Sequence, residues 1–500
     1  MALMINKTKK VLAGAAISLT LPALLTLLAL ISMTGCSSDT STGDLSQEKI
    51  AYIADDGSSG SVRFNPVDGG ASHGVLQWAG LGERLTFSGD GKYFALSLGD
   101  KKETMHSLIA ATDGSAAWHL PRTAVRPSFS PDGTKVAFTT RSAGSGTGGD
   151  GASRAGVLDL TTGKLQFLVD GVNLDNASWI DNSTFIYDNT GGQVNKVDIE
   201  TGEKIQLTPA GMQFTSYSYP VSYIRKKLVL TQFGDLYQHN IWSLDLESGA
   251  LRKITANELF HYRAGYLPGS NDILFTEQQF GDRFTSELCQ ISDDGSFFRM
   301  LTSDFDYDGT QTVSPSSGKL AYKHTDQVEN ASWEFMPGKV KVTKPTTTGS
   351  SIWVINPDGT GRTQIAGSDT DSLSDPCFVT APGWNSVNPL KLSVAGGPSG
   401  SDSFTVTIEN PGSVSIDSVL RALPGADLKL SSMNGSEPEA ATDGPAGQLQ
   451  WRLELGPGEK REINLSVDVN KSNGAGDLAT MLFTLNVDGA FPLMYWQDCG

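Results

Sequence analysis

The sequence predicts an all-β chain in two parts: a ring of six to eight four-stranded blades, seven by the preferred count, followed by a β-sandwich. Three observations predict it. A strand, turn, strand, loop, strand, Gly-turn, strand pattern recurs between residues 49 and 384. A Leu/Ile-Thr pair closes successive copies at Thr208, Thr255 and Thr302, 47 residues apart each time, which is about the length of a four-stranded blade. From residue 388 to residue 500 the pattern changes to longer alternating strands punctuated by Pro-Gly turns. Composition agrees, because charged residues at 19% lie below the usual quarter, while Gly 55 and Pro 22 supply turns. The net charge of -17 argues against nucleic acid, whose phosphates need Lys and Arg stripes.

The first element in order is an address. Residues 1–35 join Lys7, Lys9 and Lys10 to an apolar run from about Val11 to Ile31, and the tetrapeptide Met33-Thr34-Gly35-Cys36 spans their end. This block resembles a bacterial lipoprotein signal with its lipobox. The resemblance implies cleavage before Cys36, a diacylglycerol on the Cys36 thiol, and a protein that sits on a membrane without spanning it. Ser37 stands where Asp would imply retention at the inner membrane, so the resemblance implies an outer-membrane protein of the cell envelope, facing the periplasm or the exterior. Residues 36–48 read as the lipidated Cys and a flexible polar tether.

The repeat is clearest from Arg126 to Thr139, where Arg-Pro-Ser-Phe-Ser-Pro-Asp-Gly-Thr-Lys precedes an alternating strand. Leu85–Leu96 repeats its first half, and Asp159–Gly163, Asp198–Gly202 and Asp245–Gly249 repeat the turn after a third strand. Six units run from about Gly82 to Gly367. The chain before them supplies three strands without a first one, and Asp375–Pro382 supplies a first strand without the rest. Joined, these ends make a seventh blade and close the ring, hiding its edges. The units look like the TolB-like, WD40-like β-propeller repeat, whose hallmark is the S-P-D-G turn. The resemblance is to the repeat and not to TolB itself, since residues 49–384 leave no room for the α/β domain that precedes the TolB propeller. It implies a fold and says little about activity.

Residues 388–500 give six or seven strands, read as a sandwich. Phe404–Gly412 and Trp451–Glu459 resemble the immunoglobulin-like modules of bacterial and archaeal surface proteins, and Trp451 reads as a core residue. Cys289, Cys377 and Cys499 leave an odd number of thiols after Cys36. A Cys377–Cys499 bridge would tie the tail back, and Cys289 reads as buried in a blade.

Chemistry has three candidate locations. Asp304-Phe-Asp-Tyr-Asp-Gly309 is the opening of a calcium loop, with Asp304, Asp306 and Asp308 converging on a hard cation, although Pro315 stands where an EF-hand has Glu. His239, His261 and His324 fall in or near loops that the repeat places on one face, where three imidazoles would bind a transition metal. Tyr217, Tyr219, Phe260 and Tyr262 precede first strands, where they would stack on a sugar or a peptide. No H-E-x-x-H, Walker A or paired C-x-x-C motif occurs. The preferred reading is therefore a non-enzymatic envelope lipoprotein whose propeller binds a protein, peptide or glycan, with the sandwich as spacer or second contact and calcium as the one candidate cofactor. The alternative is a metal-dependent lyase or hydrolase of uronate oligosaccharides using the histidines, as the likeness to propeller lyases implies.

Overall fold

The computed structural model describes residues 48–499 apart from internal stretches, the longest being 141–152, 216–225, 441–447 and 470–479. Among the described residues every regular element is a strand. Cys36 lies outside them.

Local chemistry explains why the repeat folds into hairpins. The Ser130 hydroxyl donates to Asp132 Oδ1 at 2.6 Å, the same oxygen accepts the Thr134 N–H at 3.0 Å, and Gly133 takes a φ of 71°. At the turn after the third strand, Asp159, Asp198 and Asp245 each accept N–H groups two and three residues on, at 2.7–3.1 Å. Such bonds favour the carboxylate, so the Thr201 N–H holds Asp198, and the Ser248 N–H holds Asp245, below the ordinary range.

The 47-residue recurrence has a cause as well. Thr208, Thr255 and Thr302 stand two residues beyond the short fourth strands, which end at Gln206, Lys253 and Met300. Each buried hydroxyl accepts the N–H of a third-strand residue, Val194, Ile241 or Leu288, at 2.9–3.0 Å. The side chain thus continues the ladder where the strand has stopped. Thr255→Val is expected to leave the Ile241 N–H buried and unpaired, costing about 1–3 kcal/mol by urea unfolding, and Thr255→Ser to recover most of it.

The described residues form seven blades. Six follow in chain order at residues 81–119, 124–170, 178–206, 214–253, 260–300 and 307–368, the sixth with an inserted hairpin, Ser332–Met336 and Lys339–Thr343. The seventh is built from both ends as expected: Ser372–Val379 pairs antiparallel with Lys49–Asp55, followed by Ser59–Pro66 and His73–Ala79.

The C-terminal residues form a two-sheet sandwich. One sheet orders Lys391–Gly396, Ser403–Glu409, Lys460–Val469 and Leu428–Asn434; the other orders Leu493–Asp498, Thr480–Asn486, Ile416–Pro424, Leu449–Leu455 and Glu439–Ala440. Trp451, 1% exposed, fills the space between them with Phe404, Phe483 and Leu465. The sequence pattern does not mark Leu428–Asn434 or Leu493–Asp498 as strands. The latter joins the two domains, pairing in parallel with His73–Ala79 so that Leu76 faces Met494 and Trp78 faces Trp496. One nine-stranded sheet therefore runs from the innermost strand of blade 7 to the outer edge of the sandwich. Trp78 lies so close to Gly60 and Gly82 that a Cβ on either would come within 2.3 Å of its ring.

His119 is a second tie. Its Nε2–H donates to the Leu423 carbonyl at 3.0 Å and its Nδ1 meets Thr480 Oγ1, both in the sandwich. Burial pushes its pKa down to about 4. An unfolded chain then binds a proton that the native one refuses, so this contribution is complete above pH ~6.5 and is lost as pH falls toward 4. Between pH 7 and pH 4.5 wild type should lose roughly 2–3 kcal/mol more than His119→Gln in urea unfolding. Equal losses would contradict it.

The Cys377–Cys499 bridge does not form. Both thiols are free. Cys377 is on the first strand of the nine-stranded sheet and Cys499 follows the fifth, so four interstrand steps, roughly 19 Å, separate them where a disulfide needs about 4.4–6.8 Å between Cα atoms. Cys289 is fully buried in blade 5, and burial raises its thiol far above the ordinary range.

Candidate functional site

The polar site is assembled at one end of blades 5 and 6, where the loops between second and third strands and between blades emerge. Asp308, on the first strand of blade 6, lies directly opposite His324 on the second. His324 Nδ1 is 2.7 Å from Asp308 Oδ1 and Nε2 is 3.0 Å from Asp326 Oδ1. Burial opposes a charge on His324, but the bonds to Asp308 and Asp326 and the charges of Asp308 and Asp304 outweigh it and raise the pKa to about 9. A protonated ring donates to Asp308 and to Asp326, and Arg362 Nη2 lies 3.1 Å from the same Nδ1. Asp308 is completely buried, and burial holds its carboxyl above the ordinary range despite His324.

Arg362 reaches the cluster from just before the fourth strand of blade 6. It bonds Asp304, comes within 3.9 Å of Asp308, and lies over the Trp353 ring at 4.6 Å and the Tyr322 ring at 5.7 Å. Even so, Asp308 Oδ2 is buried with no hydrogen-bond partner. Glu287, Asp304 and Asp308 each offer a ligand atom within 4.8 Å of the others, and so do Asp304, Asp306 and His324. The first set is all carboxylate oxygen, the donor type calcium takes, and the orphaned Oδ2 is an acceptor still lacking a cation or donor.

The cluster continues into blade 5. Glu287 accepts the Thr302 hydroxyl at 2.7 Å and lies directly opposite Glu277. Glu277 is 3.3 Å from His261 Nε2, while His261 Nδ1 donates to the His239 carbonyl at 2.8 Å. Burial, reinforced by His261, pushes the His239 pKa down to about 4. Tyr262 accepts from Gln278 Nε2 at 2.7 Å and contacts Ser286 Oγ at 3.0 Å; Ser286 in turn donates to the Asp308 carbonyl at 2.6 Å.

The structure therefore unites Asp304, Asp306 and Asp308 with His324. It pairs His239 with His261, and Phe260 packs on the His239 ring with centroids 3.7 Å apart. The three imidazoles do not form one centre, because His324 belongs to the next blade and turns both nitrogens to carboxylates. Among the described residues no candidate ligand set contains two histidines. Phe260 and Tyr262 lie within the first strand of blade 5 rather than before it, and Tyr217 and Tyr219 fall outside the described residues. Sequence reasoning missed Glu277, Glu287 and Arg362; the available signal was a Glu inside each of two apolar strands.

No family model and no curated protein matches the sequence. Among solved structures the chain is similar to TolB from Acinetobacter baumannii (20% identity, TM-score 0.39, covering 53% of this chain and 65% of that one). It is also similar to the β-propeller domain of the Trilobed protease from Pyrococcus furiosus (9%, TM-score 0.45, 66% and 97%). A third similar structure is an oligogalacturonate lyase from Vibrio parahaemolyticus (14%, TM-score 0.38, 84% and 98%). The chain spans about two thirds of the Acinetobacter protein. These are likenesses of fold, and the seven-bladed ring rests on the strand pairings themselves.

Proposed function

We propose that this is a lipid-anchored protein of the cell envelope, at the outer membrane, whose propeller binds a protein, peptide or glycan through the face at the ends of blades 5 and 6, with calcium ordering the acidic loop there. The observation that carries this reading is the buried, partnerless Asp308 Oδ2 within a carboxylate set of calcium type. Glu287, Asp304 and Asp308 would hold the ion, Arg362 giving way at Asp304. An ordered loop on a rigid ring presents a surface at little entropic cost to binding. The sandwich, continuous with blade 7, serves as a rigid arm or second contact surface. His324, bonded to a carboxylate on each nitrogen, supports a binding role over a histidine-ligated metal centre.

The test immobilises the full chain and probes it with envelope extract and a glycan array, with calcium or with chelator. A discrete ligand should be retained in calcium and lost in chelator and in Asp304→Asn and Asp308→Asn. Retention by both variants would refute this face. Release of an unsaturated uronate product from pectic oligosaccharides, abolished in His324→Gln, would favour the lyase instead. The anchor is tested by labelled fatty-acid incorporation, which Cys36→Ser should abolish.

A further inference from the structure

A cleft of about 770 Å³ opens between blade 1 and the sandwich, within the roughly 300–1,000 Å³ of small-ligand sites. Strand alternation sets its floor. Along Ile416–Pro424, Ser418, Leu420 and Ala422 turn into the sandwich core, so Asp417, Val419 and Arg421 turn outward. Along Leu449–Leu455, Trp451, Leu453 and Leu455 are buried, and Arg452 and Glu454 are exposed on the other face. Register puts Asp417 directly opposite Glu454, and Val419 between Arg452 and Asn486. These two strands and Thr480–Asn486 are interior to their sheet, between Leu493–Asp498 and Glu439–Ala440. Their backbone groups serve the ladders, so the floor offers side chains.

Two turns wall the cleft, and both are pinned. Residues 113–115, between the third and fourth strands of blade 1, are held by the Thr484 hydroxyl, which donates to the Gly114 carbonyl at 2.8 Å, and by Asn486 Nδ2, which donates to the Asp113 carbonyl. Gly114 has a φ of 70°, and a Cβ there would come within 3.0 Å of Pro492. Residues 488–490 are held by the Ser386 hydroxyl, which donates to the Gly489 carbonyl. Asn486 Oδ1 also accepts Arg421 Nη1 at 3.0 Å, so one amide fixes both a wall and a floor cation. Groups ordered in advance lose little entropy when a ligand arrives.

The lining mixes donors and acceptors. Asp113, Asp417, Glu454 and Asp488 line the cleft as carboxylates, which only accept, while Arg421 and Arg452 only donate. An anion meets four carboxylates there, and a cation meets two guanidinium groups. A hydroxyl escapes that conflict, since it donates to the one kind and accepts from the other. A peptide strand needs a sheet edge or apolar side-chain pockets. This floor is the middle of a sheet, and its half-buried apolar side chains are no larger than Val419 and Val487. We propose that the cleft binds a neutral oligosaccharide, with hydroxyls donating to Asp417, Glu454 and Asp488 and accepting from Arg452, and a C–H face of the sugar on Val419. The site is separate from the blade 5 and 6 cation cluster, and it stands or falls independently of that reading.

The test titrates cellohexaose, maltohexaose and N-acetylated chitohexaose, separately, into the full chain, following heat and melting temperature. At least one should bind, with an affinity that added salt leaves unchanged because the ligand is uncharged. A galacturonate hexamer should bind at least about ten-fold more weakly, its carboxylates facing those of the cleft. Asp417→Ala and Glu454→Ala, at exposed positions whose truncation spares the fold, should each weaken the best saccharide about ten-fold. Val419→Trp keeps every charge but fills the cleft, and should abolish binding while melting stays near that of wild type. Chelator and Asp308→Asn should leave binding intact. Failure of all three saccharides at millimolar concentration, tighter binding of the galacturonate, or binding that Val419→Trp and the Asp417→Ala, Glu454→Ala double variant both retain would overturn the proposal. Binding lost in Asp308→Asn but kept in Val419→Trp would overturn it by moving the sugar to blades 5 and 6. Capture of a peptide from a random library, lost in Val419→Trp, with no saccharide bound, would overturn it in favour of a peptide site.

Discussion

Trp384→Ala is expected to be among the most destabilising single substitutions in this chain, at about 4–5 kcal/mol. Trp384 lies in the segment between ring and sandwich and is completely buried. Its ring stacks on Phe64 at 4.9 Å and meets Phe87 edge-on at 5.9 Å, while its Nε1–H donates to the Thr112 carbonyl at 2.7 Å. The core it joins contains Trp78 of blade 7 together with Leu423, Leu482, Phe491 and Trp496 of the sandwich, so the cavity opens where the two domains share their interior. Truncating a buried Trp costs about 3–5 kcal/mol, and a stranded carbonyl about 1 kcal/mol more. Urea unfolding at neutral pH measures it. A loss below about 1 kcal/mol would mean that the domains do not share this core.

His324→Ala should cost about 3 kcal/mol at pH 7 in the presence of chelator. The imidazolium is the closest counter-charge to a completely buried Asp308, and removing one member of a buried ion pair strands the other. Arg362, 3.9 Å from Asp308, offsets only part of this. Calcium should restore most of the loss, because the freed carboxylate gains a cation in place of the lost one. Melting curves of wild type and variant with and without calcium decide it. A variant as stable as wild type in chelator, or one that calcium leaves unchanged, would contradict the assigned electrostatics.

The fold was legible to the degree that turns were written into single residues. Ser130-Pro-Asp-Gly and Asp159-Leu-Thr-Thr-Gly carry their own hydrogen bonds, so the hairpins they make do not depend on distant contacts. The closing blade was legible because each chain end held an incomplete set of strands. Leu493–Asp498 was not: Leu-Met-Tyr-Trp-Gln-Asp lacks the alternation of a half-buried strand, because it is covered from both domains. For the site, Asp308 and His324 were each singled out from different patterns. Their union depends on register, which places them directly opposite, and on Arg362 arriving from the far side of the same blade. Arg84, Arg126, Arg263 and Thr310 each take a positive φ four residues before the turn of their blade, yet one of the four is not arginine, so residue identity hides a repeat that backbone conformation reveals.

Calcium binding to the full chain, by titration calorimetry with the bound metal counted by mass spectrometry, decides whether the blade 5 and 6 carboxylates hold a cation. About one calcium per chain is expected, lost in Asp308→Asn and kept in Asp90→Asn, whose carboxylate serves only a blade turn. Absence of binding at millimolar calcium, or binding that Asp308→Asn leaves intact, would contradict it.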